Sequence, residues 1–283
     1  MYRKFLPLLL AAALVLSACS LRISIPITQT TGPTTTDRIS IPLPDTDGTV
    51  HLNLAFGAGT LNLSPGAANL VDGTAAYNVP DLKPEVTTTG SVVRIEQGDY
   101  QLTGIPDLSN LKNEWNLQLG GVPLDLEIAG GAYTAEYALG GLALVNLTIR
   151  DGASRVTLSF DEPNAAEMNL LRYETGASNV SMIGLANANF ASMEFASGAG
   201  NYTLDFSGEL KRAASVMIET GVSNLTLVIP EGIPVQITVQ GALANVAHGS
   251  GWNKDGSVYT QTGEGPGLVI VIEIGAGNLT ITR

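Results

Sequence analysis

Val269-Ile270-Val271-Ile272-Glu273-Ile274-Gly275-Ala276-Gly277-Asn278-Leu279-Thr280-Ile281 is the stretch on which the reading of this chain turns. Apolar residues recur at period two on both sides of Gly275: Ile270 and Ile272 before it, Leu279 and Ile281 after it. That period belongs to a strand with one buried face. Between the two runs, Gly275-Ala276-Gly277 forms a corner of small residues, which permits positive φ and close approach of neighbouring backbones.

The same unit stands near the other end as His51-Leu52-Asn53-Leu54-Ala55-Phe56-Gly57-Ala58-Gly59-Thr60-Leu61-Asn62-Leu63. Further corners begin at Gly152, Gly176, Gly198 and Gly221, with a weaker one at Ala129, giving spacings of 23, 24, 22 and 23 from Ala129 to Gly221. When the corners are aligned, apolar residues coincide five and three positions before them and four and six after. Outward hydroxyls line up as well, at Thr134, Thr157, Ser181, Thr203, Thr226 and Thr280. Asn179, Asn201, Asn224 and Asn278 follow the corners and are placed to stack as a ladder.

The chain therefore reads as all-β. A parallel β-solenoid of 22–24-residue two-strand coils fits this unit, and so does an antiparallel β-sandwich or meander. Identical side chains at identical positions favour the solenoid, because stacking rewards ladders whereas a meander rewards complementary neighbours. The β-repeat domain is expected over residues 50–283, less regular over 50–115 and regular over 116–283. Tyr77-Asn78-Val79-Pro80 and Leu82-Lys83-Pro84 read as turn-rich loop within the irregular part. Ile237 to Gly241 reads as a coil in the wide gap between Gly221 and Gly275, and His248 to Gly256 as an exposed loop.

The N-terminus carries an address. Arg3 and Lys4 precede an apolar run from Phe5 to Leu16 and the sequence Leu16-Ser17-Ala18-Cys19. This is a basic, apolar and small-residue order that marks residues 1–18 as a signal peptide, and the run is shorter than the roughly 20 residues of a spanning helix. Its end resembles the lipobox of bacterial lipoproteins, which implies acylation of Cys19, the chain's single cysteine. Residues 19–49, rich in Thr and Pro, are expected to be the lipidated N-terminus and a tether. Removal of residues 1–18 takes away two cations and no acid, so the net charge of −12 becomes −14. Such a surface argues against nucleic acid as a partner.

Phe56-Gly57-Ala58-Gly59 with Leu61-Asn62-Leu63, Tyr77 to Pro80, Leu82 to Glu85, Trp115 to Leu119, Val122 to Leu126 and the late Gly-Ala-Gly-Asn corners together resemble the toast-rack (DUF2154) proteins of the bacterial envelope. These are related to the C-terminal domains of LiaF-type cell-wall-stress proteins and to DUF4097-type adhesin domains. The resemblance implies a β-repeat fold in an extracytoplasmic, often lipid-anchored setting, and no reaction. LiaF-type members carry a membrane-helix module where this chain has its Cys19 segment.

No HExxH, Walker or GxSxG motif occurs. His51 and His248 have no neighbouring acid in sequence, and Asp45-Thr46-Asp47-Gly48 lacks the later ligands of a calcium loop. No cofactor is expected. The candidate binding loop is His248, Trp252 and Asn253, where an aromatic in a Gly-rich excursion could hold a protein or sugar; Trp252 folded back over the last coils is the structural alternative. The expected role is a non-catalytic, lipid-anchored scaffold or adhesin-like protein, with the membrane and an envelope protein or glycan as partners. The alternatives are an accessory factor of the envelope stress response and a carbohydrate-active enzyme on a solenoid.

Overall fold

The structure, a computed structural model, describes residues 31–46, 48–97, 110–241 and 243–283. Seven long strands carry the repeat: β2 (Val50–Pro65), β7 (Pro123–Ala138), β8 (Ala143–Ser159), β9 (Met168–Ile183), β10 (Phe190–Asp205), β11 (Ala214–Val228) and β16 (Leu268–Thr282). All seven lie side by side and parallel, in the order β2-β7-β8-β9-β10-β11-β16. This is the solenoid; the antiparallel meander is excluded for the body of the domain.

Each long strand bends at its glycine corner into two arms. Inward residues three before the corner form a buried column, Leu54, Ile128, Ile149, Tyr173, Phe195, Ile218 and Ile272. Four after it stand Leu61, Ala135, Val156, Val180, Tyr202, Leu225 and Leu279, also buried. Each large side chain so buried contributes about 1.5–3 kcal/mol. Asparagines mend the third side of the coil. Asn164 pairs through its amide with both backbone groups of Leu144 at 2.8 Å, and Asn187 bridges the Phe160 carbonyl at 2.8 Å and the Glu209 N–H at 2.9 Å.

Close packing explains the corner glycines. A Cβ on Gly131, Gly176, Gly198, Gly221 or Gly275 would stand 2.4–2.7 Å from the carbonyl oxygen of the preceding corner glycine. These five do not require positive φ; the coils simply approach too closely for a side chain. Positive φ belongs two residues later, at Gly59, Gly200 and Gly277, where other coils carry Ser154, Ser178 and Ser223.

The corner expected at Ala129 is in fact Gly131, since Gly130 pairs with Asp151 and Ala132 with Ala153. A bulge after Leu144 moves the register by one residue, because Leu124 faces Leu144 while Asp125 faces Asn146; beyond it Leu126 faces Leu147 and Ile128 faces Ile149, two residues away from the pairing that a corner at Ala129 would give. Thr134 accordingly pairs with Arg155 and leaves the hydroxyl column, which runs from Thr157 through Ser181, Thr203 and Thr226 to Thr280. The Asn ladder does form: each Nδ2 donates to the next Oδ1 from Asn278 to Asn224, Asn201 and Asn179, at 2.7–2.9 Å.

Both ends are built by splitting a coil. β5 (Val92–Gln97) and β6 (Asn113–Leu119) lie parallel on the two arms of β2, so the expected loop region supplies an outer coil. It is covered by antiparallel strands, β4 (Pro84–Thr89) on β5, and β3 (Val71–Tyr77) on β6. β1 (Thr35–Ile41) then pairs with β3. The tether expected over residues 19–49 therefore gives way to sheet at Thr35, because Ile39 and Ile41 alternate with polar neighbours and bury against the core. At the other end, β12 (Val235–Gln240) and β13 (Leu243–His248) form the expected coil. It stacks outside β16, so the last strand in sequence is inserted between β11 and that coil. β15 (Val258–Gln261) and β14 (Asn253–Asp255) cover the β12 arm.

Candidate functional site

Outward side chains two residues before the corner run across the stack as Ala55, Ala129, Arg150, Glu174, Ala196, Glu219, Glu273 and Gln240. Those four before it run as Asn53, Glu127, Thr148, Arg172, Glu194, Met217, Val271 and Thr238. Strand spacing brings charges on adjacent coils together. Arg150 lies 2.5 Å from Glu127 and 3.1 Å from Glu174; Arg172 lies 3.8 Å from Glu174 and 2.5 Å from Glu194. Three carboxylates and two guanidinium groups on β7 to β10 thus pair in a lattice that keeps a single negative charge.

An open groove of about 830 Å³ runs along the corners from β8 to β12, lined in part by Arg150, Asp151, Glu174, Ser197, Glu219 and Glu273. Glu219 and Glu273 are register neighbours on β11 and β16, and among the described residues neither has an ion-pair partner.

Beneath the paired part lies a hydroxyl cluster centred on Asp151. One carboxylate oxygen accepts from Tyr173 at 2.7 Å, Ser154 at 2.9 Å and Tyr133 at 3.3 Å; the other accepts from Thr175 and, at 3.4 Å, from Ser178. Tyr137 donates onward to the Tyr133 hydroxyl at 3.2 Å. Burial, with the Asp151 charge adding to it, pushes Tyr137 and Tyr173 well above the ordinary phenol value; Tyr133 is raised too, by burial first. The phenols are therefore neutral donors at any physiological pH. Asp151 is the only acid at its position, where other coils carry Phe56, Gly130, Thr175, Ser197, Thr220 and Ile274. That singularity was the available signal for it. The arginine lattice had none before the register was known.

The candidate binding loop is not assembled as expected. Trp252 is 9% exposed and belongs to the core, covering the end of the stack, so it cannot serve as a surface anchor. His248 ends β13, exposed, with its ring 5.4 Å from that of Tyr259; Asn253 starts β14, exposed, and its carbonyl accepts from Thr260 at 3.4 Å. His51, expected to lack an acidic neighbour, lies 3.3 Å from Asp125. Cys19 lies outside the described residues. Among those residues no three His, Cys, Asp or Glu side chains converge to hold a metal ion, and no helix is long and apolar enough to cross a membrane.

The family model for the N-terminal domain of toast_rack, DUF2154, matches residues 30–183, which take in β1 to β9. The chain belongs to the toast-rack family. Solved structures are similar to it over most of their length. A candidate cell adhesion protein from Clostridium sporogenes is 22% identical to this toast-rack protein over 88% of this chain and 98% of its own, with a TM-score of 0.46. A candidate adhesin from Bacteroides fragilis is 9% identical, covering 88% and 97%, with a TM-score of 0.37. A candidate lipid-binding protein from Parabacteroides distasonis is 7% identical, covering 89% and 98%, with a TM-score of 0.38. None of the curated proteins matches the chain.

Proposed function

We propose that this toast-rack protein is a non-catalytic binding or scaffold protein, adhesin-like, held at the outer side of a membrane by acyl chains on Cys19. The observation that carries the non-catalytic reading is Asp151, the groove carboxylate nearest the core. Neutral hydroxyls saturate it, so it has no free lone pair to take a proton from a substrate. Glu174 is likewise held, between Arg150 and Arg172. An open groove that crosses six strands suits an extended chain such as a glycan or peptide better than an enclosed small molecule. The anchor follows from the order of Arg3, Lys4, the apolar run and Leu16 to Cys19.

One observation favours a second reading, a carbohydrate-active enzyme: Asp151, Glu174, Glu219 and Glu273 share the groove. Against it, Glu219 and Glu273 stand side by side on one sheet face, about 4.8 Å apart along the stack, whereas glycosidase carboxylates flank the scissile bond.

The test has two parts. Detergent-extracted native protein carries acyl mass at its N-terminus, and Cys19→Ala protein is released from membranes. Incubated with isolated cell-wall glycan, the released protein co-sediments without generating reducing ends. Reducing ends that disappear in Glu219→Gln/Glu273→Gln protein would establish the enzyme instead, and native protein without acyl mass would remove the anchor.

A further inference from the structure

The pentapeptide Arg38-Ile39-Ser40-Ile41-Pro42 occurs twice in the chain; its other copy is Arg22-Ile23-Ser24-Ile25-Pro26. The downstream copy supplies most of β1, which among the described residues pairs with β3 alone. Ile39 and Ile41 bury against the core at 5% and 6% exposure, and Arg38 to Ile41 pair with Thr74 to Val71. Ser40 donates to Asp72 at 2.9 Å and accepts from Asn69 at 3.1 Å, while the Ile41 carbonyl accepts from the Leu70 N–H at 2.9 Å. Each of these contacts is made by a residue that the upstream copy reproduces.

Only the downstream register has Asp37, which accepts from the Tyr77 hydroxyl at 2.8 Å and lies 3.8 Å from Lys83; Leu21 stands at the matching upstream position. Among the described residues no strand pairs with the outer edge of β1. A groove of about 400 Å³ separates it from Lys83, Pro84 and the exposed Val86, so a strand can leave the slot sideways.

We propose that the slot beside β3 is a two-register site, in which Arg22–Pro26 of the same chain can replace Arg38–Pro42. Strand register is set by side-chain pattern, and two identical patterns specify two registers. The exchange lengthens the connection to β2 from residues 43–49 to residues 27–49, an entropic penalty of about six-fold. It also forfeits the Asp37 contacts, so the downstream register is the favoured one. Sixteen residues separate the copies, and the exchange changes the reach from Cys19 to the sheet by about 50 Å of extended chain. That consequence rests on the lipid anchor proposed above; the exchange itself does not.

The test therefore uses Cys19→Ala protein, which carries no lipid. Ile23→Ser/Ile25→Ser leaves the melting temperature unchanged. Ile39→Ser/Ile41→Ser lowers it by less than half of the drop produced by all four substitutions together. In the Ile39→Ser/Ile41→Ser background, a Ser24→Cys/Asp72→Cys pair closes a disulfide within one chain, read by non-reducing mass analysis. A drop as large as that of the four-fold variant, no disulfide, or a disulfide only between chains would each overturn the proposal.

Discussion

The outward face over β7 to β10 and the outward face over β11, β16 and β12 share one backbone, one glycine spine and one register, yet their surfaces differ. Over β7 to β10, Glu127, Arg150, Glu174, Arg172 and Glu194 interlock, and a tyrosine cluster lies beneath them. Over β11 and β16, Glu219 and Glu273 have no ion-pair partner among the described residues and lie beside the exposed Met217 and Val269, and the inward columns are aliphatic. A stacked repeat fixes the scaffold and leaves each outward column free to vary. One half of the face pairs its charges internally; the other keeps carboxylates and apolar surface available to a partner.

Alkali separates the halves most strongly. Tyr133, Tyr137 and Tyr173 have folded pKa values above their ordinary value of 10.0, so their contribution is complete below pH 10 and is lost as pH rises beyond it. Stability should fall by about 1.4 kcal/mol per pH unit for each tyrosine. Hydrogen exchange above pH 10 is expected to show β7 to β9 opening before β11 and β16. Next in size is Asp151→Ala, which strips five hydroxyls of their acceptor and should cost about 3 kcal/mol by denaturant unfolding. Gly198→Ala attacks what the halves share. Its Cβ would meet the Gly176 carbonyl oxygen at 2.6 Å, for a cost of about 2 kcal/mol, whereas Gly121→Ala, with nothing within 4 Å, should be near neutral.

The scaffold was legible in the sequence because its signals are local and repeated: period-two alternation, the corner glycines and the Asn ladder from Asn179 to Asn278. The Ala129 corner was misread since a slip of two residues, which brings Gly130 opposite Asp151, leaves a period-two alternation unchanged on either side. The end coils were hidden by topology. β5 and β6 are separate in sequence and join only through β2, and no local pattern announces that β16 inserts inside the β12–β13 coil. Site chemistry was less legible still. The arginine lattice is a relation between coils, and Trp252 in its Gly-rich stretch reads the same whether it faces solvent or covers a core.

Salt-dependent stability tests the contrast between the two halves most directly. Arg150→Ala leaves Glu127 and Glu174 without their shared cation and should destabilise by about 1 kcal/mol at low salt. Glu219→Gln/Glu273→Gln relieves two like charges on neighbouring strands and should stabilise by about 0.5 kcal/mol. Both differences are expected to shrink toward zero in 1 M salt. Effects of the same sign, or effects indifferent to salt, would contradict a face divided into an internally paired and an uncompensated half.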